Sequence, residues 1–224
     1  MTPVADYRAQ FTAALALFTA ARPDARVYVV SVPDVYRLWE LEHTNFAAVL
    51  IWEVASICRS LLANPLSAAP EDVARRQRVR DRVVAYNAQL ADVCAQYVHC
   101  RFDGNAVFGT AFVASDVSAL DHFHPSLSGQ ARLSAITWAA GFDFTDGTAP
   151  TSTAGVSLRP GGRSATVTFS AADDVGVSGI EYRFGRLPYR RYTGPVSLLR
   201  GRLLTYRAVD VNGNIEASRT LSLP

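Results

Sequence analysis

Apolar side chains recur at two different periods along this chain, and the change between them falls near residue 145. In the first part they recur at helical spacing, which predicts helices over 6–21, 34–42 and 72–97, with a further apolar element over 45–62. Between these helices, the valine-rich run over 27–32 and the short run over 98–102 predict strands, the first of them covered on both faces. Strands that alternate with helices predict an α/β layered fold.

Beyond Phe144 the chain becomes rich in turn-forming residues and then alternates apolar and polar side chains with a period of two. The alternation returns in several short runs that Pro-Gly-Gly, Asp-Asp and Asn-Gly-Asn turns separate. This pattern predicts a small antiparallel β-sandwich. We therefore expect an α/β domain over 1–144, a linker over 145–155 and an all-β domain over 156–224.

Charge and hydropathy exclude two classes of partner. The net charge is only +2, and a nucleic-acid partner requires a concentrated basic face, so none is predicted. The densest basic run, Arg75 to Arg82, is predicted to be a solvated helix face. The most apolar element, 45–62, is too short and too interrupted by Glu53 and Arg59 to cross a bilayer, so no transmembrane segment is predicted.

The segment Asp121-His122-Phe123-His124-Pro125-Ser126 carries the most informative chemistry. Asp121 can accept a hydrogen bond from Nδ1 of His124, which leaves Nε2 free to take the proton of a nucleophile. The same residues have a structural interpretation, in which Ser126 or Ser128 caps the following helix and Asp121 closes the preceding turn. Taken alone, these residues favour capping. His122 with His124 makes a poor metal site, and we predict neither a metal nor a cofactor.

Residues 1–143 resemble the C-terminal part of the catalytic domain of SGNH (GDSL-type) ester hydrolases, a flavodoxin-like three-layer α/β family with many bacterial lipases and esterases. The resemblance rests on segments in family order: RVYVVSVP at 26–33, DVYRLW at 34–39, VAYN at 84–87, CRFD at 100–103 and DHFHPS at 121–126. It implies that Asp121 and His124 are the acid and base of a Ser-His-Asp mechanism, and that the substrate is a lipid or another small-molecule ester. It also implies secretion.

The earlier blocks of the family have no match in this chain. It contains no Gly-Asp-Ser for the nucleophile, nor the glycine and asparagine that complete the oxyanion hole. We therefore expect a flavodoxin-like domain that is incomplete and truncated at its N-terminus, with a signal peptide upstream. Because a His–Asp pair alone cannot form an acyl-enzyme, we expect the chain as written to be inactive.

The alternative is a non-catalytic remnant, or a protein that binds polysaccharide at a cell surface through its C-terminal domain. Residues 148–224 resemble the Ig-like modules of bacterial secreted enzymes and surface proteins, through the phrases at 173–184 and 206–214. The arginines and tyrosines at 189–192 are candidates for a glycan or cell-wall contact. The loop 210–214 supplies too few spaced oxygens for calcium, so a hairpin turn is favoured.

The three cysteines suggest one short disulfide. Cys94 and Cys100 lie six residues apart at the end of a predicted helix and in the next predicted strand, where a small disulfide-closed loop is easy. Two neighbouring buried thiols are the alternative. Cys58 is left unpaired, which suggests a partner in an upstream segment.

Four aromatic residues of the first domain have two interpretations. Tyr36, Trp39, Phe46 and Trp52 would line an acyl pocket in a hydrolase or form ordinary core. Aromatic side chains at such spacing more often form core, which is the interpretation that we favour.

Overall fold

The computed structural model describes residues 1–223, and within them the protein is mixed α/β. Its helices are Val4–Ala21 (α1), Tyr36–Glu42 (α2), Phe46–Val54 (α3), Arg59–Leu62 (α4), Pro70–Cys94 (α5) and Leu127–Ala140 (α6), with a 3-10 helix at Ala114–Asp116. Its strands are Val27–Val29 (β1), Cys100–Phe102 (β2), Thr151–Leu158 (β3), Ser164–Ala172 (β4), Val177–Phe184 (β5), Arg190–Arg191 (β6), Val196–Leu199 (β7), Leu203–Asp210 (β8) and Arg219–Ser222 (β9).

The chain divides into two compact units that are not contiguous in sequence. The first unit contains residues 1–15, 28–93 and 102–141, and the second contains 16–27, 94–101 and the chain from 142 onward. The segments 16–27 and 94–101, predicted within the first domain, thus belong to the second. The physical reason is direct contact with the strands of that unit. The hydroxyl of Ser178 on β5, for example, donates to the carbonyl of Val98 at 2.6 Å.

A buried tryptophan organises the core of the first unit. Trp52 on α3 is 1% exposed and packs with Ala48, Leu61, Leu62 and Val79. Such close packing of large apolar side chains is the main source of stability in a domain of this size. This core lies beneath the loop that carries Asp121 and His124, because the indole N–H of Trp52 donates to the carbonyl of His122 at 2.9 Å.

The long helix α5 begins as its sequence predicts. Pro70 occupies its first position, and Glu71 and Asp72 place negative charge in its first turn, where the helix dipole favours it. The basic run that follows is not wholly solvated, contrary to the prediction. Arg76 is 1% exposed, its guanidinium lies 4.3 Å from the centre of the Trp39 ring, and Nη2 donates to the carbonyl of Ser67 at 2.7 Å.

The second unit contains the predicted antiparallel sheets. One sheet has the order β3-β4-β7 and the other β6-β5-β8-β9, and every pairing in both is antiparallel. Alternate residues of both sheets point into one core, which includes Val167, Phe169, Ile180, Leu198 and Leu204. The period of two correctly predicts the buried face of β4, but Val156 and Leu158 on β3 are 44% and 64% exposed, and β8 is buried on both faces.

Strand β3 begins at Thr151, so the segment predicted as a linker over 145–155 is shorter than expected. Ser152 is fully buried, and its N–H donates to Oε1 of Glu216 at 2.9 Å while its hydroxyl donates to Oε2. Burial alone would raise the pKa of Glu216, but these hydrogen bonds and the nearby Arg219 lower it. A side-chain contact 64 residues away in sequence therefore fixes the start of the strand.

The predicted disulfide is confirmed. Cys94 and Cys100 are bonded, with their Cα atoms 5.3 Å apart. Cys58 has no disulfide partner among residues 1–223. Within the same residues, no helix is both long enough and apolar enough to cross a bilayer.

Candidate active site

The loop over 117–125 joins the 3-10 helix to α6 and is closed across its base. Val117 and Pro125 form an isolated antiparallel bridge. Beside it, the N–H of Ser118 donates to the carbonyl of His124 at 2.8 Å. The backbone therefore holds the central residues of the loop in one arrangement.

Asp121 uses both carboxylate oxygens within this loop. Oδ1 accepts the N–H groups of Phe123 at 3.0 Å and His124 at 3.1 Å, and Oδ2 lies 2.6 Å from Nδ1 of His124. The hydrogen bond from the His124 side chain is the largest influence on this carboxyl group. Together with the backbone N–H groups, and against the effect of partial burial, it lowers the pKa of Asp121 to about 2.

The contact with Asp121 determines which nitrogen of His124 is available. When Nδ1 donates to the carboxylate, the neutral ring carries its proton there and presents an unprotonated Nε2. The side chain of His124 is 73% exposed, so Nε2 is accessible to an incoming group. The structure thus brings together the two residues that the sequence singles out.

The capping interpretation also describes the structure. Ser126 is the N-cap of α6, and its hydroxyl oxygen accepts the N–H of Gly129 at 3.1 Å. The hydroxyl groups of Ser126 and Ser128 lie 2.8 Å apart, and each donates to the carbonyl of Ser115 at 2.7 Å. Among residues 1–223, no serine hydroxyl forms a hydrogen bond with His124. Both interpretations therefore hold. Ser126 caps α6, and Asp121 orients the imidazole of His124.

An apolar cavity of about 230 Å³ adjoins His124. Helix α2 contributes Leu38 and Leu41, and α6 contributes Leu133. Further apolar wall comes from Val35, Phe112 and Phe123, and from Pro33, Val117 and Pro125. The imidazole is thus placed at the edge of a space suited to a small hydrocarbon group.

A second His–carboxylate pair lies two residues away and was missed by the sequence reasoning. Nδ1 of His122 lies 3.1 Å from Oε2 of Glu42, and their side chains are 12% and 6% exposed. The same oxygen accepts the side-chain amide of Asn45 at 2.7 Å. Glu42 is 80 residues from His122 in sequence. No local sequence pattern relates the two residues. The one signal is Glu42 itself, because a glutamate at the end of an apolar helical turn is rarely buried without a partner.

The four aromatic residues predicted as core or acyl pocket do not line this cavity. Trp52 is at the centre of the core, and Tyr36 and Trp39 pack against it. Phe46 instead is 80% exposed. The core interpretation therefore holds for three of the four.

Three carboxylates lie close together in the second unit. One of them, Asp210, begins the loop 210–214 that was considered above as a calcium site. Ligand oxygens of Asp146, Asp173 and Asp210 all lie within 4.8 Å of one another. Asp210 is 1% exposed, and its Oδ1 accepts the N–H groups of Asn212 at 2.8 Å and Asn214 at 2.7 Å. These hydrogen bonds give Asp210 a turn-closing role, in keeping with the predicted hairpin.

Comparisons with known proteins give no assignment. No protein-family model and no curated protein matches the chain. Among solved structures, the PKD1 domain of Vibrio anguillarum Epp is 16% identical, with a TM-score of 0.27. The match covers 35% of this chain and 100% of that domain. The ZmpB metallopeptidase from Clostridium perfringens is 12% identical over 78% of this chain and 34% of its own, with a TM-score of 0.25. Similarities this low carry no argument about fold or activity.

Proposed function

We propose that the first unit is part of an SGNH-type ester hydrolase with a flavodoxin-like fold, in which Asp121 and His124 are the acid and base of a Ser-His-Asp triad. The observation that carries this proposal is the 2.6 Å contact between Nδ1 of His124 and Oδ2 of Asp121, formed at the edge of an apolar cavity. An oriented imidazole with an accessible Nε2 is the arrangement that acyl transfer requires.

Each residue has one role in the reaction. Nε2 of His124 takes the proton of the serine hydroxyl as its oxygen attacks the ester carbonyl, and then gives that proton to the departing alcohol. Asp121 holds the ring in one orientation and stabilises the imidazolium that forms between these steps. A water molecule, activated by the same nitrogen, then releases the acid from the acyl-enzyme.

None of the described serines is assigned as the nucleophile in this proposal. Ser126 and Ser128 are the serines nearest to His124 in sequence, and their hydroxyl groups donate to the carbonyl of Ser115. We expect these 224 residues by themselves to show no ester hydrolysis above background, because a base without a nucleophile and oxyanion donors forms no acyl-enzyme.

The cavity indicates the class of substrate. Its wall of leucine, valine and phenylalanine side chains favours the acyl chain of a lipid or another small ester over a polar acyl group. The volume of about 230 Å³ favours a short chain. The chemistry of such a hydrolase needs no cofactor.

The same proposal assigns the second unit as an Ig-like module of a secreted enzyme. Two antiparallel sheets with one common core support that assignment. The Cys94–Cys100 disulfide supports export, since disulfides persist in oxidising compartments.

The experiment that tests the proposal is hydrolysis of p-nitrophenyl butyrate by the full natural product of the gene that encodes these residues. We expect His124→Ala to lower kcat at least about 10⁴-fold, because loss of the base removes the proton-transfer step. His43→Ala is the matched control and should leave kcat unchanged, because His43 does not line the cavity. Absence of ester hydrolysis in the wild type, or equal activity of both variants, would refute the proposal.

A further inference from the structure

The second unit contains a cavity of about 620 Å³, larger than the one beside His124. Its walls come from the end of α1, from the turn after α5 and from the β5–β6 region. The side chains that define its chemistry are His99, Glu181, Arg183, Arg186, Tyr189 and Arg191. This volume is within the range of sites for small molecules, which is roughly 300–1,000 Å³.

His99 is a buried polar group of this cavity without a hydrogen-bond partner. It is 4% exposed, and neither ring nitrogen forms a hydrogen bond within residues 1–223. Its Nε2 lies 3.4 Å from Oε2 of Glu181, within ion-pair distance but not aligned as a hydrogen bond. Because buried polar side chains are nearly always hydrogen-bonded, an imidazole in this state needs a partner other than the described residues, such as a buried water.

The negative charge of Glu181 is already balanced. Its Oε2 accepts Nη2 of Arg207 at 2.9 Å and Nε of the same residue at 3.1 Å. Arg207 also pairs with Asp24 at 2.5 Å. The carboxylate of Glu181 is therefore paired with Arg207, which does not line the cavity. It does not neutralise the arginines that do line it.

Three arginines of the cavity form no ion pair within the described part of the chain: Arg183, Arg186 and Arg191. The guanidinium of Arg183 lies 4.5 Å from the centre of the Tyr189 ring, and its Nε is buried without a partner. Nη2 of Arg191 donates to the carbonyl of Ser178 at 3.2 Å, which restrains that side chain. Stacking and this hydrogen bond hold two guanidinium groups in place before any ligand arrives.

We propose that this cavity binds an anionic sugar, with its carboxylate or phosphate held by Arg183, Arg186 and Arg191. Guanidinium groups bind both oxyanions through paired N–H donors, so the two share one recognition chemistry. The cavity is much larger than a single oxyanion, and its walls also contain Tyr97, whose phenol group suits a sugar ring. The inference is independent of the ester hydrolase proposal.

The test is isothermal titration calorimetry of the full chain with glucuronate and with glucose 6-phosphate, using glucose and inorganic phosphate as comparisons. We expect saturable binding of at least one anionic sugar, and binding at least about tenfold weaker for glucose and for inorganic phosphate. No saturable binding of either anionic sugar would overturn the proposal. Equal binding of glucose would overturn the charge-based recognition, and equal binding of inorganic phosphate would overturn the sugar assignment.

Two variants separate the site from the fold. Arg183→Gln should weaken binding about tenfold or more, since one charge-assisted hydrogen-bonding group is lost. Arg186→Gln changes an exposed side chain, so it tests the same charge without a packing effect. Arg163→Gln is the matched control, because Arg163 is exposed on the β3–β4 turn and does not line the cavity. Unchanged affinity in both cavity variants would overturn the proposal.

Discussion

His122 and His124 are two residues apart and each contacts a carboxylate, but their surroundings differ. Nδ1 of His122 lies 3.1 Å from Glu42, and the two side chains are 12% and 6% exposed. Nδ1 of His124 lies 2.6 Å from Asp121, and those side chains are 73% and 34% exposed. The same two functional groups therefore form a buried structural contact in one case and an accessible one in the other.

The backbone explains why neighbouring histidines have such different environments. His122 adopts a left-handed conformation with φ of 51°, which is uncommon for a residue other than glycine. Its carbonyl accepts the indole N–H of Trp52 at 2.9 Å. The turn thus directs one imidazole toward the core and leaves the next in solvent. Sequence spacing alone does not show which of the two imidazoles is accessible, whereas the exposed fractions of the side chains do.

The largest expected effect comes from breaking the buried pair. Glu42→Ala should lower the free energy of unfolding by about 3 kcal/mol, because it leaves the largely buried His122 without its acceptor. Urea denaturation monitored by circular dichroism measures the change. Glu40→Ala is the control, since the side chain of Glu40 is 43% exposed, and it should change stability by less than about 0.5 kcal/mol. A Glu42→Ala variant as stable as this control would contradict the comparison.

A smaller loss is expected where the core holds the loop. Trp52→Phe removes the N–H that binds the carbonyl of His122 and reduces a fully buried side chain, so we expect a loss of about 1–2 kcal/mol. Trp138→Phe on α6 provides the matched substitution at a site that is 75% exposed, where little change is expected. The same denaturation experiment compares them, and equal losses would show that the contact with His122 contributes nothing.

The accessible pair should contribute little to stability. Asp121→Ala is expected to change the free energy of unfolding by less than about 1 kcal/mol, because exposed ion pairs are weak. Denaturation curves measured beside those of Glu42→Ala test the contrast directly. A loss from Asp121→Ala as large as that from Glu42→Ala would mean that the pair at His124 is also structural.

The smallest effect is a shift in one titration. The pKa of Asp121 is about 2 in the folded protein, below its ordinary value, chiefly because His124 donates to it. A depressed carboxyl pKa adds stability above the unfolded pKa of roughly 4, and that contribution disappears as pH falls through the folded pKa. His124→Ala should therefore move the carboxyl ¹³C titration midpoint of Asp121 upward, while His43→Ala should not. If the titration midpoint of Asp121 does not move in His124→Ala, His124 is not the cause of the low pKa of Asp121.

Local patterns in the sequence predict the elements well and the long-range partners poorly. The period of two predicts the strands of the second unit, and the six-residue spacing of Cys94 and Cys100 predicts their disulfide. The Glu42–His122 contact spans 80 residues, and neither residue carries a local signal for the other. Periodicity reports which face of an element is buried, but not which distant segment covers it.

The same limit applies to charge and to domain boundaries. The run containing Arg76 reads as solvated by composition, yet Trp39 provides an aromatic face that covers its guanidinium. The segments 16–27 and 94–101 belong to the second unit although their helical and strand patterns continue those of the first. In both cases the deciding contact is with a residue far away in the sequence.

The proposed function depends on Asp121 holding the neutral ring of His124 with Nε2 unprotonated and accessible. Long-range ¹H–¹⁵N correlation NMR of the neutral imidazole measures it directly, because the two ring nitrogens have different shifts when only one carries the proton. We expect a single tautomer with the proton on Nδ1 in the wild type, and a mixture dominated by the other tautomer in Asp121→Ala. A wild-type ring protonated on Nε2, or unaffected by the Asp121 substitution, would contradict it.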